Sequence, residues 1–119
     1  MQSQKRKGLN LRFQFYPYKS ALKVNLMAIK AYVMMKVSSG SEREVCRKIV
    51  EFNEVMDVSI VYGEFDIIAK VKVEELEELE NFLSESIRSI PSVMLTSTMI
   101  VAREYKGKAM RNALKIKSL

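Results

Sequence analysis

Twice along this chain, apolar residues that alternate with period two give way to apolar residues that recur every three to four positions. That switch constrains the fold more than any other feature of the sequence. Residues 31–38 (Ala-Tyr-Val-Met-Met-Lys-Val-Ser) predict a strand, with Ala31, Val33, Met35 and Val37 on one face and Tyr32, Met34 and Lys36 on the other. Ser38, Ser39 and Gly40 break it. Ser41 followed by Glu44 forms a capping-box pattern, which supplies acceptors for the free N–H groups of a helix start. Val45, Ile49 and Phe52 then continue at helical spacing, widened by Cys46 and Val50, to a helix end near Asn53.

The second half repeats the layout. Residues 57–62 alternate, Gly63-Glu64 makes a turn, and Phe65, Ile67, Ala69 and Val71 oppose Asp66, Ile68, Lys70 and Lys72 on the next strand. Two such runs joined at a glycine predict a hairpin. Glu74, Glu75, Glu77 and Glu78 load the first turns of a second helix, where negative charge suits the macrodipole. Its stripe is Leu76, Leu79, Phe82, Leu83, Ile87 and Ile90, and Pro91 stops it. Residues 93–103, rich in β-branched side chains, predict the last strand. The order β-α-β-β-α-β predicts an α+β, ferredoxin-like fold: a four-stranded antiparallel sheet with both helices on one face. Tyr32, Met34, Ile68 and Ile100 put large apolar groups on both faces of that sheet. A bare second face would be a sizeable apolar patch, so the sheet of a second chain is expected to cover it, as in a dimeric α/β barrel.

Charge divides the 119 residues into three parts. Residues 1–23 carry six bases and no acid, residues 105–119 five bases and no acid, and residues 24–104 nine bases against all 14 acids, a net of −5. The expected organisation is a basic N-terminal arm at 1–28, the domain at 29–105 and a basic tail at 106–119. Weak, sequence-indifferent contact with nucleic acid through the basic ends fits this distribution. The tail carries Ala109, Met110, Ala113, Leu114 and Ile116, a pattern compatible with a short amphipathic helix; a solvated or oligomer-packing tail is expected, with phosphate or membrane-surface contact as the second reading. No apolar run reaches the ~18–20 residues of a membrane span, and no signal peptide is legible, so a cytoplasmic protein without membrane association is expected. The chain has no histidine and one cysteine, Cys46. Imidazole catalysis, an internal disulfide and a multi-cysteine zinc site are therefore excluded. Cys46 is expected to be a small core residue, and the Glu74–Glu80 run a solvated helix face. No cofactor and no enzymatic activity are expected.

Two motifs bear chemistry. In Tyr62-Gly63-Glu64-Phe65-Asp66 the glycine permits a tight turn and a close backbone approach. Neighbouring N–H groups suit a carboxylate, and Asp66 suits an ammonium group; alternatively Gly63 only serves the hairpin and Asp66 is a solvated turn residue. In Thr96-Ser97-Thr98 the two threonines point the same way, either toward a small polar ligand or as ordinary strand residues.

The element order, the Tyr62–Asp66 turn and the Leu95-Thr96-Ser97-Thr98-Met99 strand together resemble the effector-binding (RAM) domain of the Lrp/AsnC, or feast/famine, transcription regulators, over about residues 29–104. The resemblance implies a stand-alone form of the domain, because residues 1–30 are too few for the helix-turn-helix domain of a full regulator. It implies pairing through the sheets into homodimers and octamers, and assembly with full-length Lrp/AsnC regulators. It implies an amino-acid effector bound between dimers, its backbone groups held by Tyr62, Gly63 and Asp66, with polar contacts from Thr96 and Thr98. Two rival readings stand beside it. One is a small enzyme of the dimeric α/β-barrel type, since fold does not fix chemistry. The other is a nucleic-acid-binding protein acting through its basic ends, although the sheet lacks an aromatic RNP-type signature.

Overall fold

The computed structural model describes residues 28–118, and side chains through residue 115. The expected arm at 1–28 lies almost wholly outside the described residues. Strand β1 spans Ile29–Val37, helix α1 Glu42–Ile49, β2 Val55–Ile60, β3 Ile67–Val73, helix α2 Leu76–Asn81, β4 Val93–Ile100 and helix α3 Lys108–Ser118. The strands form one antiparallel sheet in the order β2-β3-β1-β4, the arrangement of an α+β ferredoxin-like fold.

The period-two pattern sorts side chains as expected. Ala31, Val33 and Met35 pair across β1 and β3 with Val71, Ala69 and Ile67, and all six are fully buried beneath the helices. Val45 and Ile49 of α1 are equally buried and close the core from above, with Leu79 of α2 almost so. Each such side chain contributes about 1.5–3 kcal/mol by leaving water. Cys46 is half-buried against this core, and burial, with Glu42 nearby, raises its thiol pKa. It is therefore a packed thiol, not an activated one.

Two helix details depart from the expectation. Ser41 is the N-cap of α1, but its side chain caps nothing there. Its Oγ donates instead to the Ser38 carbonyl at 2.6 Å, so the Ser41–Glu44 box does not form. The working carboxylate is at α2: Glu78 accepts the N–H groups of Glu75 at 3.0 Å and Glu74 at 2.8 Å. Beyond Asn81, α2 widens into a π-helix over Phe82–Ile87, closed by the Arg88 N–H donating to the Leu83 carbonyl at 3.1 Å. The wider turn brings Phe82 and Ile87, five residues apart, onto the core together. Phe82 meets Phe52 edge-to-face at 5.7 Å between ring centres.

Among the described residues, the two helices that cover the core leave the other face of the sheet uncovered. Register places Tyr32 opposite Met99 and Lys70, Met34 opposite Ser97 and Ile68, and Lys36 opposite Leu95 on that open face. Ile100 does not belong to it: it pairs with Ala31 and lies on the helix-facing side. Leu95 and Met99, each just over half exposed, supply the apolar surface from β4 instead.

Candidate functional site

The hairpin between β2 and β3 is held by its base. The Val61 N–H donates to the Asp66 carbonyl, and the Asp66 N–H to the Met35 carbonyl, both at 2.9 Å. Asp66 Oδ2 accepts the Val37 N–H at 3.0 Å. Val37 sits where the β1–β4 register shifts, next to Lys36, and β3 begins only at Ile67. The carboxylate thus stands in for a backbone carbonyl one rung beyond the end of the ladder. Asp66 is half-buried, and its Oδ1 has no partner among the described residues. It is therefore not the freely solvated turn residue of the alternative reading.

Above this base the loop is open. Gly63 has φ +143°, and a Cβ there would meet nothing within 4 Å. The glycine answers a backbone requirement and not a crowded neighbour among the described residues. The N–H groups of Tyr62, Gly63, Glu64 and Phe65 donate to no acceptor among the described residues. The Tyr62 side chain is fully exposed.

Thr96 and Thr98 share a face, as expected, but register puts them opposite Met35 and Val33. They therefore lie on the helix-facing side, half-buried on the outer strand of the sheet. Thr96 and Asp66 flank β1 from its two sides at the Met35 end, two strand spacings or roughly 10 Å apart. Thr98 is one pair further along. Asp66 and Thr96 thus come to one end of the sheet, with Gly63 and Tyr62 beyond it in the loop. The described residues of one chain do not enclose all five. A cleft of about 560 Å³ lies elsewhere, between α1 and the loop after the π-helix, lined by Glu44, Arg47, Lys48, Phe52, Ile90 and Pro91 among others. Among the described residues, no cluster of His, Cys, Asp or Glu is arranged to hold a metal ion, and no helix is long and apolar enough to cross a membrane.

A polar cluster that sequence patterning did not anticipate sits on the open face. After Ile100 the Val101 N–H adds one more bond, to the Lys30 carbonyl at 2.8 Å, and the chain then leaves the strand, short of the expected end at residue 103. The segment that follows brings Glu104 to two lysines: Oε1 accepts from Lys30 Nζ at 2.9 Å and Oε2 from Lys70 Nζ at 2.7 Å. Lys106 Nζ stands 3.5 Å from Oε1, and Lys70 Nζ lies 5.7 Å from the centre of the Tyr32 ring. The hydrogen bonds from Lys70 and then Lys30 hold the Glu104 carboxyl down at about 2, while the same Glu104 bond raises Lys70. One sequence signal pointed there: Glu104 is the only acid after Glu85.

The comparisons with known proteins agree with this architecture. The family model described as the Lrp/AsnC ligand binding domain matches residues 30–110. The HTH-type transcriptional regulator FL11 of Pyrococcus abyssi is 38% identical over 76 residues, which cover 64% of this chain and 50% of that protein. The chain thus spans half the length of that relative. The crystal structure of PHS023 from Pyrococcus horikoshii superposes with a TM-score of 0.61 at 40% identity, covering 65% of this chain and 93% of that one. A transcriptional regulator of Neisseria meningitidis, solved as an L-Met complex, shares the fold with a TM-score of 0.61 at 17% identity, covering 66% of this chain and 53% of that one. The chain, through the domain it shares with these regulators, belongs to the Lrp/AsnC family.

Proposed function

We propose that this domain senses a small amino acid and modulates transcription through assembly, with itself or with full-length Lrp/AsnC relatives, and catalyses no reaction. The observation that carries the reading is that a carboxylate oxygen, Asp66 Oδ1, and the N–H groups of Tyr62 to Phe65 in the adjoining loop all lack a partner among the described residues. A zwitterion needs that polarity: an anion for its ammonium and N–H donors for its carboxylate. The L-Met bound to a protein of the same fold supports the ligand class. Thr96 and Thr98 add hydroxyls from the neighbouring strand, on the helix-facing side. The described residues of one chain do not close around these groups, and in this reading a second copy completes the site. The open sheet face, with Tyr32, Met34, Ile68, Leu95 and Met99, is the surface through which copies pair. Calorimetric titration of the purified protein with each of the twenty amino acids tests the reading. Saturable heat with one or a few of them is the expected result, and no heat with any overturns it.

A further inference from the structure

The sheet ends in two edge strands, β2 and β4, and the sequence treats them differently. β2 is short, carries Asp57 and shifts register between Val55 and Asp57. A charge and an irregularity are devices that keep an edge from pairing with another chain. β4 is longer, and its register against β1 shifts only next to Val93. From Ser92 to Ala102 there is no charged residue, glycine or proline. The backbone of this edge is also open. The Val101 N–H donates to the Lys30 carbonyl, and an antiparallel ladder alternates, so Met99, Ser97 and Leu95 turn their backbone groups toward β1. Thr96, Thr98 and Ile100 turn theirs outward, where no strand pairs with them among the described residues. Leu95, Met99 and Ile100 are each just over half exposed, and Met94 more so.

The order of side chains identifies the occupant. Read outward from Ser97, β4 is the same by class in both directions: Thr96 and Thr98, then Leu95 and Met99, then Met94 and Ile100. A two-fold antiparallel pair sets residue i of one copy against j of the other and j against i, so a strand suited to pair with itself has this symmetry. We infer that β4 joins, edge to edge and antiparallel, with β4 of a second copy, centred on Ser97. In that register the Thr98 N–H donates to the second copy's Thr96 carbonyl and the reverse, which engages the outward-facing groups. Thr96 lies across from the second copy's Thr98, Leu95 from its Met99 and Met94 from its Ile100, and the two Ser97 side chains face each other. Polar meets polar, apolar meets apolar, and no charge is brought to the join. Centring the pair on Thr96 or Thr98 would set Ser97 against Leu95 or Met99 and lose that match. The contact uses the edge of the sheet and does not rest on the pairing through the open face.

The test is disulfide trapping in the full chain, with the single native cysteine removed by Cys46→Ala and oxidised glutathione as the oxidant. Directly opposed residues on paired strands have Cβ atoms ~4.5–5.5 Å apart, near enough for a disulfide to close. Ser97→Cys is expected to give a covalent dimer on non-reducing gels. Leu95→Cys and Met99→Cys are each expected to stay monomeric on the same gels when oxidised alone and to give the covalent dimer when mixed. Thr98→Pro removes one outward N–H and no bond to β1, and proline is tolerated on an edge strand; it is expected to slow trapping of Ser97→Cys roughly tenfold or more while the circular dichroism spectrum stays unchanged. Trapping of Ser97→Cys no faster than that of Leu95→Cys or Met99→Cys alone overturns the inference. Undiminished trapping in a natively folded Thr98→Pro variant overturns it as well, because pairing through the open face would not need that N–H. The cysteine pattern decides by itself, whatever the proline does to the fold.

Discussion

The Asp66 carboxylate accepts the Val37 N–H at 3.0 Å, and this bond joins the start of β3 to β1 where the β1–β4 register shifts. One oxygen of the side chain serves the fold, and the other has no partner among the described residues. Replacing Asp66 therefore has two separable effects.

Asp66→Ala removes both. A hydrogen bond to a charged group contributes about 1.5–3 kcal/mol, and the half-exposed position sets the lower part of that range. Urea unfolding is expected to show a loss of about 1–2 kcal/mol, and effector affinity to fall roughly ten- to a hundredfold, at about 1.4 kcal/mol per tenfold. Asp66→Asn keeps an acceptor for Val37 but cannot pair with an ammonium ion. Its stability should stay near that of the parent while affinity falls as far as in Asp66→Ala. Parent-like binding by an intact Asp66→Asn oligomer would remove Asp66 from the site.

Gly63 makes a different prediction. Its φ of +143° is unfavourable for any residue with a Cβ, yet the space around it is empty. Gly63→Ala and Gly63→Val should each destabilise by roughly 1–3 kcal/mol through backbone strain. The larger side chain should add little, because it has nothing to collide with among the described residues. A Gly63→Val variant far less stable than Gly63→Ala would reveal a neighbour, supplied by a second copy. Thr98→Val, one pair further from Asp66 than Thr96, is expected to change affinity less than either glycine variant.

The proposed pairing through the open face predicts the size of the particle. Light scattering should give at least twice the 13.7 kDa mass of one chain. Met34→Asp places a charge at the middle of the face, between Ser97 and Ile68. It is expected to shift the population to monomer and abolish effector binding together, since the proposed site is completed by a second copy.

Acid should act through Glu104. Its folded-state carboxyl lies at about 2, below the ordinary value of 4.5. A lowered pKa stabilises the folded form above the unfolded value, and the contribution is lost as pH falls through the folded one. Thermal unfolding scans between pH 5 and pH 2 should show a steeper loss of stability for the parent than for Glu104→Gln, with the difference confined to the window from about 4.5 to about 2. Lys70 shifts in the opposite sense. Its contribution is complete below its ordinary value of 10.5 and is lost as pH rises beyond that.

The basic helix α3 presents Lys108, Arg111 and Lys115 on exposed positions. Weak binding to double-stranded DNA of arbitrary sequence is expected, falling with added salt at a logarithmic slope of about −0.9 for each phosphate contacted. A filter-binding series at several salt concentrations measures it. A slope near zero would remove phosphate contact from the account of this helix.

The element order was legible because period two and period 3.6 leave different marks, and the core faces of β1 and β3 fell where alternation put them. What alternation cannot supply is the phase of one strand against another. Alternation leaves the face of Ile100 open, and only its partner Ala31 fixes it on the helix side. The threonines were seen to share a face, but only pairing with Val33 and Met35 says which one. Ser41 has the composition of a cap, but its hydroxyl finds the Ser38 carbonyl first, a competition between two local acceptors that sequence spacing does not decide. Glu104 reaches residues 74 and 34 positions away, so its role depends on a chain path that no local pattern encodes. The turn at Gly63 and Asp66 was legible as a candidate site, whereas the bond from Val37 to Asp66 was not.

The widened turn at Phe82–Ile87 has a consequence for the history of this helix. A π-turn spends one residue more than an α-helix needs to cover the same length, as though a residue had been inserted and absorbed where it arose. Phe82 and Ile87 hold the two ends of that turn in the core, while Ser84 and Glu85 between them face water. The surplus is thus confined to one exposed bulge, and neither flank changes register. Shortening the chain by one residue there would regularise the helix, and amide protons of that turn should exchange with solvent sooner than those of α1.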